Sequence, residues 1–336
     1  MKAWWVDSPG PIGTHPLVRG TRDAPAAAQG ELRVRVLACG VCRTDLHLAE
    51  GDLLPRRQGV IPGHEIVGQV DAIGPGVTEF HVGDMVGIAW LRQTCGRCLP
   101  CRHEQENLCE RPQFTGWDCD GGYAEYATVD ERYAYRLPVD ADPLTTAPLL
   151  CAGIIGYRAL RRTDLRPGGA LGIYGFGASA HLTAQLALHQ GARVHVLTRS
   201  AEAQKLALDL GVNSAAGGHD APPEPLDAAI LFAPAGELVP IALAALAPGG
   251  TLAIAGIHLS DIPSLDYQRH VFRERTIRSV TANTRRDGEE FLTIAAQLRL
   301  RPVVTTYPFE NASNALADLA GDKVTGVAVL QVAADV

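Results

Sequence analysis

The sequence predicts an α/β protein of two domains, a β-rich one first and then a doubly wound parallel sheet with helices on both faces. Three observations carry that prediction. The chain has 336 residues, more than one domain ordinarily holds. Up to about residue 140, short strand patterns are punctuated by glycine and proline with almost no long helical period. From about Pro143 onward strand and helix patterns alternate, which requires a parallel sheet.

In the first domain, 31–38 alternates apolar and polar residues and reads as a strand running into a glycine turn. Residues 64–73 and 85–90 are two more strands, parted by the turn Gly74-Pro75-Gly76, and 121–129 is a fourth. Residues 143–162 read as one helix that contains Cys151. Beyond it, strands at 170–174, 193–198, 228–232, 251–255 and 276–281 alternate with helices at 178–190, 201–210 and 237–246. The tail, 303–336, returns to strand–helix–strand character.

Composition narrows the function. Hydrophobic residues at 46% and charged residues at 20% describe an ordinary globular protein. A net charge of −7 without a basic stripe speaks against a nucleic-acid surface. The N-terminus lacks an apolar signal region, and no apolar run reaches membrane-spanning length, so a cytoplasmic protein with no membrane partner is expected. In that compartment the eight cysteines are expected as metal ligands or free thiols rather than disulfides.

Four of them form a cluster: Cys95, Cys98 and Cys101 at two-residue gaps, then Cys109. Four thiolates on a short loop suit one tetrahedral zinc with no vacancy, hence a structural site. Surface thiols, disulfides or an iron–sulfur cluster are the other readings of this spacing. Gly175-Phe176-Gly177-Ala178-Ser179-Ala180 sits between a strand and a helix. There Gly175 permits a tight turn, Gly177 lets a pyrophosphate approach the backbone, and Ala180 allows close helix–strand packing. The next strand ends in Thr198-Arg199-Ser200 with no carboxylate for a free ribose 2′-hydroxyl. These three residues suit a 2′-phosphate instead, which favours NADP(H) over NAD(H).

A third constellation comprises Cys39-Gly40-Val41-Cys42-Arg43-Thr44-Asp45-Leu46-His47, Gly63-His64-Glu65, and Cys151 in an apolar segment. Together with the cysteine cluster and the glycine turn, in that order, these motifs resemble the zinc-dependent alcohol dehydrogenases of the medium-chain dehydrogenase/reductase superfamily. The likeness runs from about residue 25 to the C-terminus. It implies a GroES-like catalytic domain over 1–150, completed by about 300–336, and a Rossmann nucleotide-binding domain over 151–299. It also implies two zinc ions per subunit. The catalytic ion would be held by Cys39, His64 and Cys151 with one position open to substrate, while Asp45 orients His64 and Glu65 approaches the metal during ligand exchange.

Thr44 and His47 match the family's proton relay, in which the hydroxyl proton passes by way of the nicotinamide ribose to an imidazole at the surface. Trp90 falls where relatives place an aromatic wall of the substrate pocket, and Trp117 is a further pocket candidate. Cys42 and Cys119 are left as free thiols. Val327 stands where family members often carry an arginine for the pyrophosphate. The resemblance implies reversible hydride transfer between a primary or secondary alcohol and NAD(P), in a homotetramer or homodimer paired near 276–281. A polyol or cinnamyl-type alcohol dehydrogenase is the alternative. A zinc-free quinone reductase of the same fold and a non-enzymatic zinc module are more distant ones, opposed by the presence of all the ligands and by the acidic charge.

Overall fold

The computed structural model describes residues 1–334. The chain divides into two compact units. One comprises Met1–Cys151, Ala282–Glu290 and the residues from Arg301 onward; the other comprises Ala152–Thr281 and Phe291–Leu300.

The first unit is built on the long strand Glu31–Val41, which extends three residues past the expected end. Its alternating residues Leu32, Val34 and Val36 are buried. The strand is antiparallel to three partners. Ile66–Ile73 runs along most of its length, Tyr126–Asp130 along its first half, and Val327–Gln331 along residues 38–41. Met85–Ile88, Ala134–Arg136 and Val304–Pro308 complete a seven-stranded sheet. The tail thus contributes two strands to this sheet, and Val327 is a buried residue of one of them.

The expected helix over 143–162 is not continuous. Pro143–Thr146 is one helical turn, Ala147–Leu150 a 3-10 segment containing Pro148, and the regular helix begins at Ala152 and ends at Arg161. Cys151 lies at the break with φ −127° and ψ −71°. Pro148 has no N–H to give a helical ladder, so the chain tightens there and turns Cys151 out of helical register.

The second unit holds six parallel strands in the spatial order Ser214–Ala216, Arg193–Leu197, Ala170–Tyr174, Leu226–Leu231, Leu246–Ile254, Thr276–Ser279. Sequence order reverses between Ala170–Tyr174 and Leu226–Leu231, the switch point at which doubly wound sheets bind ligands. No helix among the described residues is long and apolar enough to cross a membrane.

Candidate metal centres and nucleotide site

Four side chains of the first unit converge in its interior: Cys42, His64, Glu65 and Cys151, with one donor atom from each lying within 4.8 Å of the others. This corrects the ligand set expected from the sequence in one position, since Cys42 and not Cys39 joins His64 and Cys151. The reason is the length of the strand. Because Glu31–Val41 continues as sheet, Cys39 remains a core residue paired with Ile66, fully buried. Its sulfur packs where side chains at Gly63 and Gly122 would be, within 2.8 Å of either Cβ position. Burial, then the carboxylates of Asp45 and Glu65, push its thiol pKa well up, which keeps it neutral. Cys42 is the first residue beyond the strand and the cap of the helix Arg43–Glu50, so its side chain leaves the sheet.

Asp45 fixes the arrangement from behind. Its Oδ2 accepts from the Cys42 N–H at 2.9 Å and its Oδ1 from the Gly63 N–H at 2.9 Å, which ties the helix start to the segment carrying His64. The same Oδ1 is 3.3 Å from His64 Nδ1, and the Tyr123 hydroxyl donates to Oδ2 at 3.5 Å. Burial alone lowers the basicity of His64. The Asp45 carboxylate and Cys42 outweigh it and hold the ring's pKa well above that of a free histidine. Cys42 is correspondingly held low, first by the Cys151 thiol donating to it and then by His64, against the opposing effect of burial.

Glu65 follows His64 directly, and its backbone carbonyl accepts from Gly40 N–H at 2.9 Å. Its carboxylate lies flat against that glycine: a Cβ on Gly40 would fall 1.9 Å from Glu65 Oε2. This oxygen is buried with no hydrogen-bond partner, and burial raises the pKa of the carboxyl well above normal. Two sulfurs, an imidazole nitrogen and a Glu65 carboxylate oxygen, within 4.8 Å of one another, are donors of the kind a zinc ion takes. Thr44 Oγ1 is 3.7 Å from Cys42 Sγ, and His47 lies on the next turn of the same helix, its Nδ1 2.9 Å from Asp52 Oδ2.

Trp90 meets His64 edge to face at 4.9 Å between ring centroids. Phe114 and Trp117 stack beside it at 4.8 and 6.0 Å, so both predicted pocket tryptophans belong to one aromatic cluster next to His64. Phe114 was not apparent as a member from the sequence. Trp117 is secured from the other side, with its indole N–H donating to the Leu54 carbonyl and Arg56 stacked over its ring at 3.9 Å.

The second cluster gathers all four predicted cysteines, Cys95, Cys98, Cys101 and Cys109. Sulfur separations are 3.4 Å for 98–101, 3.8 Å for 98–109 and 4.0 Å for 95–101. A tetrahedron of zinc–thiolate bonds has edges of about 3.8 Å, so the cluster fits one ion with every position filled. Backbone N–H groups of Cys98 and Arg111 point at the sulfurs of Cys95 and Cys109, and those of Arg97 and Cys98 bring the Cys95 thiol pKa down to about 6. Cys119 stands outside both clusters.

In the second unit Gly175 ends the strand Ala170–Tyr174 with φ +85°, and a Cβ there would lie 2.8 Å from the Ala233 backbone nitrogen. Only glycine makes this turn. Gly177 caps the helix Ala178–His189, and a Cβ on it would meet nothing within 4 Å, so the helix N-terminus faces open space suited to a phosphate. Ala180 is fully buried. After the next strand Thr198 is buried, Arg199 is exposed, and Ser200 caps the helix Ala201–Asp209 while its hydroxyl donates to Glu202 at 2.7 Å. Arg199 is therefore the cationic group that this turn offers to a ligand.

Comparison with known proteins agrees with both units. Residues 28–139 match the family model described as alcohol dehydrogenase GroES-like domain, and 180–297 match zinc-binding dehydrogenase. The chain is 58% identical over 335 residues to the probable alcohol dehydrogenase AdhA of Mycobacterium tuberculosis, covering 98% of this chain and 97% of that one. Among solved structures it is similar to CAD from Helicobacter pylori complexed with NADP(H), with TM-score 0.88, 25% identity and 98% and 97% of the two chains covered. It is likewise similar to a cinnamyl alcohol dehydrogenase from Sorghum bicolor, with TM-score 0.89, 26% identity and coverage of 98% and 97%.

Proposed function

The chain belongs to the zinc-type medium-chain alcohol dehydrogenases and is an oxidoreductase acting on alcohols, and from that premise we propose that Cys42, His64 and Cys151 hold its catalytic zinc while Glu65 stands in for substrate at the fourth position. The observation that carries this reading is the four-donor cluster of Cys42, His64, Glu65 and Cys151. When bound, zinc polarises the alcohol or carbonyl oxygen and the nicotinamide accepts or returns the hydride.

The chain's own groups do the rest. Asp45 anchors the backbone on either side of the centre and orients the His64 ring. Thr44, on the first turn of the helix that Cys42 caps, takes the hydroxyl proton from substrate, and His47 passes it to water one turn further on. The Cys95, Cys98, Cys101 and Cys109 cluster holds a second, structural zinc. The turn at Gly175 and Gly177 binds the dinucleotide pyrophosphate.

Arg199, exposed at the end of a strand that carries no carboxylate, favours NADP(H) by pairing with its 2′-phosphate. The Helicobacter pylori relative holds NADP(H). The buried Val327 leaves the pyrophosphate to the helix end. The Trp90, Phe114 and Trp117 cluster beside His64 narrows the pocket toward short or slender primary and secondary alcohols. The same rings favour, as a second reading, a flat cinnamyl-type substrate. Copies of the chain pair through Thr276–Ser279, an edge strand with Ile277 40% exposed.

Steady-state kinetics with both cofactors over a panel of short, polyol and aromatic alcohols tests this reading. Turnover of short alcohols with a kcat/KM at least about tenfold higher for NADP, lost in Arg199→Ala, is expected. A tenfold preference for NAD removes the 2′-phosphate assignment. Activity confined to polyols or cinnamyl-type alcohols reverses the substrate order.

A further inference from the structure

We infer that Asp52 is the positioning residue for His47, holding its ring in the Nδ1–H tautomer so that Nε2 receives the proton leaving the substrate; this rests on the relay role proposed for His47. The helix Arg43–Glu50 closes on Gly51, whose N–H donates to the His47 carbonyl at 3.0 Å. The N–H of Leu53 donates to the same oxygen, also at 3.0 Å. These two bonds fold residues 51–53 back over the last helical turn and bring Asp52, which lies between the two donors, to the His47 ring. Asp52 Oδ2 is 2.9 Å from His47 Nδ1.

The other charged groups of this helix are engaged elsewhere. Arg43 pairs with Asp322, Asp45 binds the backbone at Cys42 and Gly63, and Glu50 accepts from the Ile12 N–H at 3.1 Å. Asp52 is thus the carboxylate delivered to Nδ1.

A carboxylate at this distance accepts a hydrogen bond, so it selects the tautomer whose proton is on Nδ1 and leaves the Nε2 lone pair as the basic site. A histidine without such a partner favours the opposite tautomer, whose Nε2 already carries a proton and accepts none. When Nε2 takes the proton released by alcohol oxidation, the ring becomes a cation with its charge against the Asp52 carboxylate. That proton then passes to water, and the ring returns to its starting form. Asp52, with its side chain 55% exposed, stands at the solvent boundary, while His47 is only 18% exposed. In carbonyl reduction the same proton travels inward.

The test uses full-length, zinc-loaded enzyme carrying 15N-labelled histidine, with the His47 ring signals assigned by their loss in His47→Gln. Wild type is expected to show the Nδ1–H tautomer. Asp52→Ala is expected to shift it to Nε2–H and to lower kcat for alcohol oxidation about tenfold, with KM nearly unchanged. Asp52→Asn, whose amide oxygen still accepts from Nδ1–H, is expected to keep the tautomer and recover much of that loss. In a His47→Gln background, Asp52→Ala is expected to change nothing further. An unchanged tautomer in Asp52→Ala, or an equal loss of kcat in the His47→Gln background, overturns the role of Asp52 and leaves the relay standing. Wild-type turnover by His47→Gln itself removes the relay, and the role of Asp52 with it.

Discussion

Cys39 and Cys42 are three residues apart, and their backbones decide their chemistry. Cys39 is a strand residue whose sulfur fills space left by two glycines, and it is kept neutral by burial and nearby carboxylates. Cys42 is a helix cap whose sulfur belongs to a four-donor cluster. Replacing Cys39 by alanine should therefore leave metal content and turnover near wild type while lowering stability by about 1–2 kcal/mol, read from urea unfolding. At this scale the sequence identified His64, Cys151, Asp45 and Glu65 correctly as neighbours. It missed Cys42, because a strand's end cannot be placed to within three residues from alternation alone: Cys39-Gly40 reads as a turn, yet Gly40 is glycine to admit the Glu65 carboxylate. The signal that was available was the helical stretch beginning at Arg43, which makes Cys42 the residue at its start.

Among the elements, the glycine turn was the most legible, since its residue types follow from backbone geometry. Gly175→Ala places a Cβ 2.8 Å from a backbone nitrogen at φ +85°. It should destabilise the second unit by about 1–3 kcal/mol and weaken dinucleotide binding at least about tenfold in a fluorescence titration. The four-cysteine loop was legible for a similar reason, because its ligands lie close in sequence and the loop itself brings them together. The break at Cys151 was not. An apolar run with helical spacing conceals a proline-induced 3-10 segment, and packing rather than propensity decides where the helix restarts.

One electrostatic link of the parallel sheet also escaped the sequence. Glu224 accepts from Arg193 at 2.8 Å and lies 3.1 Å from His195 Nε2. The hydrogen bond from Arg193 lowers its pKa to about 2. A depressed carboxylate pKa contributes stability that is present above its unfolded value, about 4.5, and is lost as pH falls toward 2. The urea midpoint of Glu224→Gln should therefore fall below wild type at neutral pH, and the gap should narrow steadily below pH 4.5.

For the whole molecule, alternation of strands and helices announced the doubly wound sheet, and short glycine-bounded strands announced the β-rich unit. The return of the tail to the first unit was implied only by the family resemblance, because pairing between residues about 290 positions apart leaves no local pattern. The segment Ala282–Glu290, which also joins the first unit, was not foreseen. It is tied there by Glu106, whose carboxylate accepts from the Arg285 N–H at 3.0 Å.

The chemistry of the centre depends on which cysteine completes it. Its most direct test is metal content measured alongside turnover in Cys42→Ala and Cys39→Ala. We predict two zinc ions per chain in the wild type, one zinc and no turnover in Cys42→Ala, and two zinc ions with retained turnover in Cys39→Ala. Full activity and unchanged metal in Cys42→Ala, with loss of both in Cys39→Ala, would contradict it.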